Sequence, residues 1–77
     1  MTPQQQPTLI TATAETVITD ATAVSVFASS GNTTVTARGS FVLSEGIGVS
    51  FEANGNVLGA ITVTPDGGAT ALISVFK

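Results

Sequence analysis

The sequence predicts an all-β domain, a compact β-sandwich or small barrel of about six to eight short antiparallel strands with an extended N-terminal arm. Three observations lead there. β-branched residues dominate from Thr8 onward. Gly, Asn, Asp and Ser punctuate them at intervals of roughly 8–12 residues, the spacing of short strands in sandwiches and barrels. Finally, no stretch sustains helical periodicity, because glycines interrupt every candidate.

The elements follow in chain order. Residues 1–7 read Met1-Thr2-Pro3-Gln4-Gln5-Gln6-Pro7, and two prolines bracketing three glutamines favour extended or disordered chain. Fraying is the ordinary behaviour of such a terminus. The more specific expectation is an arm, Pro3, Gln4, Gln5, Gln6 and Pro7, that docks on a neighbouring subunit. Residues 8–77 form a single β domain. Strands are predicted over Thr8–Thr13 and Thr16–Thr19, although the Ala, Glu and Thr mixture of Thr13–Thr22 also admits a short helix. In Ala23–Ala28, Val24, Val26 and Ala28 share one face, and Ser25 and Phe27 share the other. Ser30-Gly31-Asn32 makes a turn. Thr33–Ala37 is a strand that Arg38-Gly39 breaks and Ser40–Leu43 resumes.

After the Ser44-Glu45-Gly46 turn, Ile47–Glu52 alternates, with Ile47, Val49 and Phe51 on the buried face. Asn54-Gly55 tolerates positive φ at both positions and predicts a hairpin to Leu58–Thr64. Pro65-Asp66-Gly67-Gly68 predicts a second hairpin to Ala69–Phe76, where Ala71, Ile73 and Val75 oppose Leu72, Ser74 and Phe76. Several strands therefore carry apolar groups on both faces: Phe27 beside Val26, Leu72 beside Ile73, Phe76 beside Val75. A strand half-exposed to water does not need this, and a chain of 77 residues has room for one core. Phe27, Leu72 and Phe76 are accordingly the expected subunit contacts.

Composition narrows the function. There is no cysteine or histidine, which removes disulfides, thiolate sites and the commonest transition-metal ligand. Of the devices that stabilise small folds, oligomerisation remains. Charged residues make up 9% of the chain, against roughly 25% in ordinary soluble domains, and so sparse a charge favours association. Arg38 and Lys77 are the only basic residues, too few to neutralise a phosphate backbone, so no nucleic-acid partner is expected. The N-terminus has neither the basic nor the apolar region of a secretory signal. No apolar run approaches the length of a membrane span, and no membrane partner is expected.

No catalytic set emerges. The serines and threonines lack a histidine or cysteine to activate them, and Ser40, Ser44 and Ser50 read as sheet and turn hydroxyls. Glu45 and Asp66 sit in turns, and Glu52 alternates onto the solvent side of its strand, so a carboxylate pair is not expected. Asp66 beside glycines could join a calcium site, but no repeated Asp-x-Asp spacing supports one. The glycine pairs Gly46-x-Gly48 and Gly67-Gly68 open no helix, so they do not read as phosphate loops. The threonines Thr11, Thr13, Thr16, Thr19 and Thr22 are too irregularly spaced for an ice-binding rank. The chain is expected to be non-enzymatic and to need no cofactor or metal.

From Ala23 to Phe76, about two-thirds of the chain, the succession has a known look. An apolar strand precedes Ser30-Gly31-Asn32, then a Thr-Val-Thr strand and the Glu45-Gly46 to Phe51 segment. Ile61-Thr62-Val63 and the closing Gly68-Ala69-Thr70-Ala71-Leu72-Ile73 follow. This resembles the small β-domain virion proteins of tailed bacteriophages, of the head-decoration and head-fibre or spike-base type. The resemblance is one of composition and implies symmetric homo-oligomers, trimers or pentamers. These would sit on the capsid surface against the major capsid protein or other virion proteins, held by loops and an N-terminal arm. The alternative is a host-receptor or glycan-binding fibre or tail module, and a further one an extracellular fibre subunit.

Overall fold

A computed structural model of the chain describes residues 8–52 and 58–76. They form eight strands: β1 (Thr8–Ala12), β2 (Thr16–Ile18), β3 (Ala23–Ser30), β4 (Thr33–Thr36), β5 (Ser40–Leu43), β6 (Gly48–Glu52), β7 (Ile61–Pro65) and β8 (Thr70–Phe76). Two four-stranded sheets result, ordered β1-β8-β3-β6 and β2-β7-β4-β5, and every recorded strand pair is antiparallel. We call them sheets A and B. Of the sandwich or small barrel expected from the sequence, the fold is the sandwich. Its eight-strand order, two interleaved Greek keys, is that of a jelly roll. Among the described residues there is no helix, and within Thr13–Thr22 the chain forms β2.

The core is aliphatic. Val24, Val26 and Ala28 of β3 and Ala71, Ile73 and Val75 of β8 point inward from sheet A, and Val35, Ile61 and Val63 meet them from sheet B. These are the faces that two-residue alternation predicts. None of the four phenylalanines is fully buried: Phe27 and Phe41 are exposed, and Phe51 and Phe76 are half-buried. Aromatic side chains normally supply the largest buried areas of a core. Here they lie at its margin.

The connections depart from the sequence reading. Among the described residues only β4 and β5 form a hairpin within one sheet, where the sequence predicts a strand merely interrupted and resumed. Neither predicted hairpin exists. β6 pairs with β3, not with β7, and β8 pairs with β1 and β3, not with β7. The Asn54-Gly55 turn itself lies outside the described residues. The Pro65–Gly68 reversal does occur, with the Ala69 N–H donating to the Asp66 carbonyl at 2.8 Å and Gly68 at φ 80°. It arches from sheet B to sheet A instead of folding a strand back on its neighbour. The physical reason is that Ile61, Val63 and Pro65 and Ala71, Ile73 and Val75 are all buried. Two such faces bury each other better across the sandwich than side by side.

Smaller corrections follow from the same geometry. β7 begins at Ile61 instead of Leu58. β3 runs on to Ser30, with a register irregularity between Ala28 and Ser30. Ile47 is exposed, because it closes the turn before β6, its N–H donating to the Ser44 carbonyl at 3.0 Å. Val49 and Phe51 do face the core, half-buried because β6 is an edge strand.

Candidate functional site

The outer face of sheet A carries the first candidate surface. In register, Phe27 of β3 stands opposite Leu72 of β8, and both are well exposed, at 41% and 44%. Leu9 of β1, opposite Ser74, is 74% exposed. Thr11 stands beside Leu72, so Leu9 and Leu72 are diagonal neighbours on one face. Phe76 is on the same face at the end of β8, half-buried, opposite Ala23. Its carbonyl accepts the Thr22 N–H at 2.7 Å and the Thr22 hydroxyl at 3.1 Å, which ties β8 to the chain entering β3.

Between these apolar groups runs a row of serines. Ser74, Ser25 and Ser50 are register neighbours on β8, β3 and β6, and the Ser25 and Ser50 hydroxyls lie 3.1 Å apart. Gly48 stands opposite Phe27. A Cβ there would lie 3.3 Å from Phe27 Cδ1 and 3.2 Å from the Val26 carbonyl oxygen, so the Phe27 ring rests on the open side of Gly48. The serines, Gly48, Phe27 and Leu72 outline a shallow depression of about 290 Å³. Glu52 is the one charged side chain in these rows.

The structure thus brings Phe27 and Leu72 together and places Phe76 on the same face. Pro3, Gln4, Gln5, Gln6 and Pro7 lie outside the described residues. Leu9 is the contact candidate that the sequence reading missed. Its signal was the same as for the others, two adjacent apolar residues in one strand, here Leu9 and Ile10. Val17 beside Ile18 and Val42 beside Leu43 repeat it on the edges of sheet B, where both valines are exposed.

The second candidate is a cleft of about 530 Å³ where the two sheets part. Edge strands β5 and β6 flank it, and Phe41 and Phe51 meet there with ring centroids 6.3 Å apart and planes tilted by 45°. Leu58 and Ile61 continue the apolar wall, and Arg38 and Ser40 supply its polar side chains.

At the other end, three sheet-crossing connections interlock. The Asp66 N–H donates to the Asn32 carbonyl at 2.9 Å, and the Gly46 N–H donates to the Ala28 carbonyl at 2.7 Å. The Gly31 N–H donates to Glu45 Oε1 at 2.9 Å. Glu45 therefore ties the β5–β6 connection to Gly31 through its carboxylate, and Asp66 takes part through its backbone. No cluster of three or more metal-ligating side chains occurs among the described residues. No family model, curated protein or solved structure matches the chain.

Proposed function

We propose that this chain is a structural virion protein that binds the capsid surface of a phage as a symmetric homo-oligomer, a trimer or pentamer, and there stabilises the head or anchors a head fibre. The observation that carries this reading is the exposed apolar group Leu9, Phe27 and Leu72 on a sheet face with a single charge. A contiguous apolar surface of that kind marks an interaction site. Three further features support it: the low charge of the chain, the marginal position of all four phenylalanines, and a jelly-roll order that viral capsid domains share. Jelly rolls also include lectins and cupins, so it is the exposed surface, not the topology, that carries the assembly reading.

The mechanism is burial of apolar area between copies. At about 25 cal/mol per Å², removing about 400 Å² of apolar surface from water contributes about 10 kcal/mol before the entropic cost of association. That is comparable to the net stability of a small domain. The arm, Pro3 to Pro7, would dock on the capsid protein. Light scattering coupled to size exclusion is the direct test. A defined trimer or pentamer is expected, and a monomer at all concentrations would overturn the symmetric oligomer. Removing residues 1–7 is expected to weaken capsid binding without changing the oligomer, whereas full affinity without them would exclude the arm.

A further inference from the structure

We infer that the cleft between β5 and β6 is a binding site for a small amphipathic carboxylate, a function separate from assembly. Its volume, about 530 Å³, lies within the range of small-molecule sites. Its walls are largely apolar: Phe41, Phe51, Leu58 and Ile61 line it, and among the described residues no Asp or Glu does. Arg38 on its rim is the one basic side chain among the described residues. In a chain of net charge −3, Arg38 sets a positive charge at the mouth of this cleft. A guanidinium matches a carboxylate through two parallel N–H···O bonds. The ligand this describes has an aliphatic or aromatic body against the phenylalanines and a carboxylate at Arg38.

Two glycines border the cleft. Gly39 and Gly59 both line the cleft, and a Cβ at either would meet nothing within 4 Å. Neither has the positive φ that makes glycine necessary at Gly31, Gly46 and Gly68. Neither crowding nor backbone conformation therefore calls for glycine there.

The test is a titration of the full chain with hexanoate, octanoate and decanoate, and with octanol as the uncharged control, followed by amide chemical shifts. Saturable binding is expected, with the largest shifts at Arg38, Phe41, Phe51 and Leu58. Affinity should rise about fourfold per added methylene until the cleft is filled. Octanoate should bind about tenfold more tightly than octanol, and Arg38→Gln should erase that difference while leaving the octanol affinity unchanged. Gly59→Leu, which fills open space without strain, should fold normally and abolish binding of both. The proposal is overturned by any of four results: no saturable binding, equal affinity for octanoate and octanol, unchanged binding in Gly59→Leu, or shifts centred on Leu9, Phe27 and Leu72.

Discussion

Gly31 and Ala69 touch where two sheet-crossing connections pass each other, so closely that a Cβ on Gly31 would lie 2.7 Å from the Ala69 Cβ and 3.3 Å from its Cα. Gly31 also has φ 72°, a conformation that costs any residue with a Cβ. Gly31→Ala therefore meets strain and overlap together, and a loss of about 2–4 kcal/mol is expected in urea unfolding. Adding Ala69→Gly should restore the part due to the overlap and leave the part due to φ. If Gly31→Ala alone proved neutral, the contact between the two connections would be misplaced.

Thr33 holds the one buried side-chain polar atom without a partner among the described residues. It is fully buried on β4, and its register neighbour Pro65 has no N–H to offer. Thr33→Val keeps the shape and removes the orphaned hydroxyl, so it should raise stability by about 1 kcal/mol. Thr33→Ser keeps the hydroxyl, loses the methyl, and should lower stability by a similar amount. Thermal and urea midpoints of the two variants should move in opposite directions.

The pairing of β6 with β3 is open to a covalent test. Ser25 and Ser50 are register partners on the outer face, with hydroxyls 3.1 Å apart. The double variant Ser25→Cys/Ser50→Cys is expected to oxidise to an intramolecular disulfide, visible by intact mass and non-reducing electrophoresis. Were β6 paired with β7 as a hairpin, these positions would lie apart and free thiols would remain.

Replacing Phe27 and Leu72 together by serine should separate the assembly from the fold. Both side chains are exposed at more than 40%, so the monomer should lose only about 1–2 kcal/mol for each. The oligomer should dissociate, read as a fall in mass by light scattering. An unchanged oligomer in a folded variant would move the interface off sheet A, with the Val17 and Val42 edges of sheet B next in line.

Much of the fold was legible in the sequence because strand alternation has a period of two and this chain keeps it. Val24, Val26 and Ala28, and Ala71, Ile73 and Val75, could be placed on the core side by counting alone. The adjacent apolar pairs Val26-Phe27 and Ile73-Leu72 likewise marked the outer face. Strand partners were not legible. A reversal such as Pro65–Gly68 states that the chain turns, not whether its two arms lie side by side in one sheet or face each other across two. Ile47 shows a similar limit: it continues the alternation of β6, but the sheet ends one residue later.

By itself, the sequence determined an all-β domain, the inward faces of its longest strands, and a chemistry without histidine, cysteine or a concentration of charge. All of these depend on residue type and on spacing along one strand. Only the tertiary structure decided which strands are neighbours, that Leu9 joins Phe27 and Leu72 on one surface, and that Arg38 borders an apolar cleft with Phe41 and Phe51. These juxtapositions unite residues far apart in the chain. They are set by how two apolar sheet faces bury each other, which local turn signals do not encode.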